Sequence, residues 1–301
     1  MMNRWNQIQS GLKQAPVLEL QQSWWAMTGL GENGREWSER RKFEKIAEAG
    51  FKGISARIPD EANREEWLQL LEAYDLSFSA IAFPSKPEDL ERVIRESVEF
   101  GKVQYINAQV MDSFVVDDRA VQLLNELLHT AEKAGIPLFI ETHRGTVTQD
   151  LLRTVNYVRA IPGLSLMIDL SHYVVAGELN GESAAAEACF DELLARTAGI
   201  HARVSNGEQV QIDIGEQGEH PMLRHFARWW RKGMANWLED AQEGDILPFV
   251  TELGPPGNYA ITRRNEGGQE VEISDRWQQA LLLKRIAEEQ WKKAKNEFSA
   301  S

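Results

Sequence analysis

Four short apolar runs between residues 138 and 252 end in, or contain, a side chain that can bind a metal ion. Glu141 follows the run LFI, Asp169 follows LMI and Glu252 follows PFVT, while His201 lies in the run IHARVS. A carboxylate directly after buried residues is costly to bury alone and needs a cation or a hydrogen-bond donor nearby. One divalent cation shared by these side chains would meet that need.

The spacing of these residues fits one site built from neighbouring structural units. Glu141 and Asp169 are 28 residues apart and Asp169 and His201 are 32 apart, about one strand and one helix each. The 51 residues between His201 and Glu252 leave room for a longer loop. Three carboxylates and one imidazole form an oxygen-rich donor set, which suits Mn²⁺ or Mg²⁺, with Co²⁺ or Zn²⁺ as alternatives.

Each residue taken alone also has a structural explanation. Glu141 could form a buried ion pair, and Asp169 could cap the helix that follows it, since structural ion pairs also occupy such positions. Four separate strands that each carry a metal-binding side chain are harder to explain by capping. The set as a whole therefore favours a metal site.

A recurring pattern predicts the elements that position these residues. A charged amphipathic stretch, a glycine and a short run rich in Ile, Val, Leu and Phe follow one another six times. This order is typical of a helix that ends at a left-handed glycine and is followed by a buried parallel strand. The six predicted helix stops are Gly50, Gly101, Gly135, Gly163, Gly199 and Gly244.

Two further strands complete a set of eight. They are predicted in the runs VLELQQSWWAM and LSFSAIAFP, and a last helix is predicted from about Asp275 to Lys295. Eight strands that alternate with helices predict an α/β fold, a single (β/α)8 TIM barrel over residues 1–301. An open doubly wound sheet is the rival, but residues 28–34, TGLGENG, do not match the dinucleotide-binding spacing GxGxxG.

In such a barrel, functional side chains lie at the carboxyl ends of the strands. His143 lies two residues beyond Glu141, so both share a face if the strand stays extended. Trp24 and Trp25 end the first predicted strand, and one of them should face inward because neighbouring side chains alternate. His201 fits least well, since it is predicted near the start of its strand, only two residues after Gly199.

Four motifs together resemble the xylose isomerase-like TIM-barrel superfamily of sugar isomerases and epimerases. They are ETHRGT at 141–146, DLSH with Asp169 and His172, HAR at 201–203 and TELGPP with Glu252. The resemblance covers predicted strands five to eight. It implies that one divalent metal is held by Glu141, Asp169, His201 and Glu252. It also implies that His172 and Arg203 contact the substrate.

The chemistry of the predicted site agrees with that resemblance. A metal-coordinated carbonyl acidifies the neighbouring carbon, so Glu141 and Glu252 could exchange protons on opposite faces of a small sugar, ketose or polyol through an enediolate. His172 and Arg203 would orient substrate oxygens, and His143 and Trp25 are further candidate substrate contacts. A hydride shift would need a second ion, and the four predicted ligands offer no obvious second cage.

Two other functions stay open. A dehydratase of 3-dehydroshikimate or inosose type could use the same metal frame and expel a hydroxyl group instead of returning a proton. A barrel with a vestigial site could act as a binding partner of another protein. The apurinic-site endonucleases of the superfamily are disfavoured, since predicted strands two to four lack the extra His and Glu residues expected of them.

The composition disfavours several classes of binding partner and metal site. With 33 basic and 46 acidic residues the net charge is −13, which disfavours nucleic acid and anionic membranes as partners. Cys189 is the only cysteine, so neither an internal disulfide nor a thiolate zinc cluster can form. The sequence lacks an apolar signal or membrane-spanning run, so we expect a cytoplasmic protein. Whether the chain forms a homo-oligomer stays open.

Overall fold

Eight parallel strands form a closed barrel, which confirms the predicted (β/α)8 fold. A computed structural model of the protein describes residues 4–32 and 34–300. Each predicted strand is present, although most are shorter than their apolar runs. In chain order, barrel strands one to eight are Val17–Ser23, Gly53–Ala56, Ser77–Ala82, Val103–Ala108, Leu138–Glu141, Leu166–Ile168, Thr197–Ala202 and Asp245–Thr251.

The barrel closes because strand eight pairs with strand one. This pairing is parallel and runs from Ile246 opposite Val17 to Thr251 opposite Gln22. All other neighbours in the barrel are consecutive along the chain. Since the strands are parallel, their carboxyl ends meet at one mouth, where the loops that follow them can converge.

Nine α-helices surround the barrel or cover its mouth in the described part of the chain. Their apolar faces supply most of the core, including the buried indoles of Trp229, Trp230 and Trp237. Within the described ranges every helix is too short or too polar to cross a lipid bilayer. Helices α1 to α9 span Glu39–Glu48, Glu61–Ala73, Pro87–Phe100, Asp117–Ala134, Leu151–Ala160, Ser171–Ala176, Ala184–Leu194, Leu223–Asp240 and Arg276–Ala300.

The predicted helix stops at glycine are confirmed for some helices and wrong for others. Gly101 and Gly135 directly follow α3 and α4 with φ of 72° and 68°, in the left-handed region. Gly163 does not have a positive φ, and Gly199 lies inside barrel strand seven. A Cβ at Gly199 would come within 2.5 Å of Met167 Cε, so close packing inside the barrel explains this glycine.

The N-terminal segment packs against the end of the barrel opposite the mouth. Ile8–Gln9 pairs antiparallel with the start of barrel strand eight. The buried Asn6 side chain donates to Leu138 O at 3.0 Å and accepts from Leu138 N at 2.7 Å. Arg4 forms two hydrogen bonds, of 2.7 and 2.9 Å, with the buried carboxylate of Asp245. These contacts tie the segment to strands five and eight, which carry Glu141 and lead to Glu252.

We expect Asn6→Ala to lower the free energy of unfolding by about 2–4 kcal/mol, since both backbone groups of Leu138 lose a buried partner. Urea denaturation measures this difference. Gln9→Ala is the matched control, because Gln9 is exposed on the same segment and should change stability by less than about 0.5 kcal/mol. Equal effects of the two variants would contradict the assigned role of Asn6.

Candidate metal centre

Three of the four predicted metal ligands converge at the mouth of the barrel. Glu141 is the last residue of strand five, His201 is the fifth residue of strand seven, and Glu252 directly follows strand eight. His201 Nδ1 lies 3.3 Å from Glu141 Oε1 and 3.2 Å from Glu252 Oε2. Each residue offers a ligand atom within 4.8 Å of the other two, and all three are buried.

The position of His201 differs from the sequence-based expectation. Strand seven begins at Thr197 and includes Gly199, so His201 lies near the carboxyl end of the strand and not near its start. The glycine rule misplaced the strand because Gly199 is needed for packing against Met167. His201 is therefore placed at the mouth, as a metal ligand would require.

Two amides orient Glu141. Asn107 Nδ2 donates to Glu141 Oε2 at 2.6 Å, and Gln109 Nε2 donates to the same oxygen at 3.0 Å. Glu141 Oε1 has no hydrogen-bond partner among the described residues. Asn107 and Gln109 are two residues apart at the end of strand four, and this spacing was the available signal for their shared role.

Asp169 lies beside the group of three rather than within it. Its Oδ1 accepts hydrogen bonds from Ser171 N at 2.9 Å and Ser171 Oγ at 2.6 Å. Its Oδ2 has no hydrogen bond in the described parts of the chain and lies 3.5 Å from both His172 Nε2 and Arg203 Nη2. One oxygen of Asp169 is thus held by serine, and the other faces the two predicted substrate contacts.

Arg203 links the carboxylates of strands six and eight. Its Nη2 donates to Glu252 Oε2 at 2.6 Å and lies 3.5 Å from Asp169 Oδ2. The guanidinium is fully buried, and its Nε and Nη1 have no partner within residues 4–32 and 34–300. Because a buried charged donor is costly to leave unpaired, these two N–H groups are suited to receive an anionic or hydroxyl oxygen.

Burial and charge set the protonation of the site. Burial disfavours the Glu141 carboxylate, but His201, His143 and the Asn107 hydrogen bond outweigh it and hold the pKa of Glu141 at about 2. Burial raises the pKa of Asp169 despite the attraction of Arg203. Burial opposes the charged form of His201, yet Glu252 and Glu141 raise its pKa well above the usual range. His201 therefore serves as a cation for two carboxylates.

These residues fit a divalent cation. Glu141 Oε1 and Asp169 Oδ2 are buried carboxylate oxygens without hydrogen-bond partners among the described residues. Buried polar atoms of this kind usually have a partner, whether protein, water or ion. A cation that replaced the proton on His201 Nδ1 would neutralise the same carboxylates and give Glu141 Oε1 a partner.

A cavity of about 560 Å³ opens above the centre. It is lined by Gln109, His143, Glu252 and the rings of Trp25 and Tyr259, among others. The first strand ends at Ser23, and Trp25 lies in the short 3-10 helix Trp25–Met27, so strand alternation does not decide its direction. Both Trp24 and Trp25 line the cavity. This size and mixed lining are typical of a small-molecule site.

Of the predicted substrate contacts, His143 and Trp25 line this cavity, whereas His172 and Arg203 are fully buried and do not line it. His172 lies buried in α6, and its ring centroid is 3.9 Å from that of the half-buried His143. Trp25 packs edge-on against Tyr259 with their centroids 5.5 Å apart. The structure therefore brings together every residue that the sequence analysis assigned to the site, with Asp169 just outside the group of three.

Sequence reasoning missed Tyr259. The guanidinium carbons of Arg203 and Arg144 lie 4.6 and 4.7 Å from the centroid of its ring. A Cβ at Gly254 would meet Trp25 at 2.7 Å and Tyr259 at 2.8 Å, so only glycine leaves room for this packing. Tyr259 lies in an irregular segment after strand eight, where no periodic pattern could indicate its direction.

A family model matches the middle of the chain. The family model described as xylose isomerase-like TIM barrel matches residues 43–228, more than half of the chain. The chain belongs to the xylose isomerase-like TIM-barrel family. The matched range includes Glu141, Asp169 and His201, whereas Glu252 lies beyond it. A search of curated protein sequences gave no match.

Solved structures of low sequence identity share the fold. A xylose isomerase-like TIM-barrel protein from Mycobacterium smegmatis in complex with magnesium is 13% identical, with a TM-score of 0.57 over 91% of this chain and 96% of that one. A probable 3-DHS dehydratase from Bacillus anthracis is 13% identical, with a TM-score of 0.52 over 89% and 98%. An AP endonuclease, family 2, from Brucella melitensis is 12% identical, with a TM-score of 0.51 over 81% and 95%.

We expect Gln109→Ala to weaken Mn²⁺ binding about tenfold, because residues that orient a ligand typically contribute 10- to 100-fold to metal affinity. Calorimetric titration of the chelator-stripped protein measures the change. Gln122→Ala, on the exposed face of α4, is the control and should bind as the wild type does. An unchanged affinity in Gln109→Ala would show that Glu141 does not need this hydrogen bond to bind the cation.

Proposed function

We propose that the protein is a divalent-metal-dependent isomerase or epimerase of a small sugar, ketose or polyol, which acts through an enediolate. The observation that carries the proposal is the convergence of Glu141, His201 and Glu252 from three strands on one buried point. Mn²⁺ or Mg²⁺ suits a site that also includes Asp169. The cation would supply Lewis acidity that makes a carbon-bound hydrogen next to a carbonyl removable at neutral pH.

Glu141 is suited to remove that proton. Its Oε1 has no hydrogen bond among the described residues, while Oε2 accepts hydrogen bonds from Asn107 and Gln109. The two amides keep the carboxylate in one orientation before substrate binds, which reduces the cost of reaching the reactive geometry. The low pKa of Glu141 keeps it in the basic, ionised form.

Glu252 is suited to return a proton on the other face. It follows strand eight, three strands along the barrel from Glu141, and it borders the cavity. Proton removal by one glutamate and delivery by the other would invert a carbon centre or move a carbonyl. The burial of both carboxylates excludes bulk water, which would otherwise compete for the carbanion.

Four further residues would hold the substrate. Arg203 Nε and Nη1 have no hydrogen bond within the described ranges and would donate to substrate oxygens, and the charge of Arg203 would stabilise an oxyanion. His143 and Trp25 line the cavity, where Trp25 offers a ring on which a sugar can pack, and the His172 ring lies against that of His143.

A dehydratase on the same site is the second candidate. Arg203 and Arg144 both lie against Tyr259 at the mouth, and two guanidinium groups there suit a substrate that carries a carboxylate. The first step, proton removal beside a carbonyl, would be the same. The outcome would differ because a hydroxyl group would leave from the next carbon as water.

Proton exchange with solvent tests the proposal. The Mn²⁺-loaded protein is incubated in D₂O with a panel of ketoses and inososes, and products are followed by NMR and mass spectrometry. An isomerase or epimerase introduces deuterium without loss of water, whereas a dehydratase yields an unsaturated product. We expect Glu141→Gln and Glu252→Gln each to slow exchange by about 10²- to 10⁴-fold.

The matched control is Glu126→Gln, which makes the same change on the exposed face of α4 and should exchange at the wild-type rate. Circular dichroism confirms that each variant folds. Exchange that continues at the wild-type rate in Glu141→Gln would exclude Glu141 as the base.

A further inference from the structure

A second group of metal-binding side chains adjoins the first. Glu141, His143 and His172 each offer a ligand atom within 4.8 Å of the other two. The two imidazole rings are close, with centroids 3.9 Å apart and planes tilted by 53°. The family resemblance assigns His172 to the substrate and gives His143 no metal, so this group is additional to the expected centre.

His172 lacks a hydrogen-bond partner in the described part of the chain. It is fully buried, and neither ring nitrogen has a hydrogen bond among the described residues. Its nearest charged neighbour is Asp169, whose Oδ2 lies 3.5 Å from Nε2, beyond good hydrogen-bond distance. Leaving a buried polar group unpaired is costly. This imidazole is therefore available to bind an ion.

His143 is oriented as metal-binding histidines usually are. Its Nδ1 lies 2.5 Å from the carbonyl oxygen of Arg144, which can only accept a hydrogen bond. Nδ1 therefore carries the hydrogen, and Nε2 carries the lone pair. Metal-bound histidines commonly donate their other ring N–H to a backbone carbonyl in this way. The Tyr259 hydroxyl lies 3.4 Å from Nε2, too far to hold it firmly.

We propose that Glu141, His143 and His172 bind a second divalent cation beside the first, with Glu141 common to both sites. The donor set of two imidazoles and one carboxylate is softer than the oxygen-rich first centre and suits Zn²⁺ or Co²⁺. This site revises the expectation that the predicted ligands offer no second cage. It goes beyond the proposed reaction, since it concerns ion binding and needs no substrate.

A second cation would change the net charge of the site and so the kind of substrate that the site attracts. Glu141, Asp169 and Glu252 carry three negative charges, and Arg203 carries one positive charge. One divalent cation balances this set, and a second leaves two positive charges in surplus. Such a surplus attracts an anionic oxygen. The doubly occupied site would therefore prefer a substrate with an acidic group or one held as an oxyanion.

Metal stoichiometry tests the second site. The full chain is stripped with a chelator, loaded with excess Co²⁺, desalted and analysed by plasma mass spectrometry. We expect two Co²⁺ per wild-type chain and one per His143→Ala chain. His129→Ala is the control, because His129 is exposed on α4 and its loss should leave two ions bound. His143→Gln is measured alongside, so that a folding defect of the alanine variant does not decide the result.

One Co²⁺ per wild-type chain would overturn the inference, as would two ions retained in both His143 variants. The deuterium-exchange experiment keeps this result separate from the proposed function. A chain that binds one ion and exchanges deuterium would refute only the second site. A chain that binds two ions, loses one in His143→Ala and exchanges nothing would support the second site and refute the proposed reaction.

Discussion

The structure depends on how three buried carboxylates are compensated at the mouth of the barrel. Glu141, Asp169 and Glu252 are almost completely excluded from solvent, and ionised groups in such surroundings need counter-charges close by. Arg203 and the protonated His201 supply two of them. A divalent cation would replace the proton on His201 and provide the remaining charge. The same electrostatic interactions therefore determine both metal binding and the stability of the barrel mouth.

The rest of the fold places these charges with little freedom. Glu141 and His201 lie within paired strands of a closed barrel, and Glu252 follows one directly. Asn107 donates a hydrogen bond to Glu141 Oε2, and Ser171 donates one to Asp169 Oδ1. At the other end of the barrel, the N-terminal segment fastens the strands that lead to the two glutamates. A site on rigid elements can stay pre-organised without the ion.

Much of this arrangement could be predicted from sequence, because it follows from periodic patterns. Eight apolar runs and their spacing indicated the barrel, and polar residues at the strand ends indicated the centre. Predictions from local sequence patterns were wrong or absent where side-chain packing determines the structure. Gly199 was taken as a helix stop, although it makes room for Met167 inside the barrel. Tyr259 could not be found, since an irregular loop carries no period, and its position depends on contacts with Arg203 and Trp25.

The most direct test of the account is the location of a bound ion. A crystal of the protein grown or soaked with Mn²⁺ gives an anomalous difference map that places the ion independently of any reaction. We expect a peak between Glu141, His201 and Glu252, about 2.0–2.3 Å from their ligand atoms. A crystal soaked in saturating Mn²⁺ that gives no peak there, and in which Arg203 and His201 remain paired to the carboxylates, would contradict this assignment.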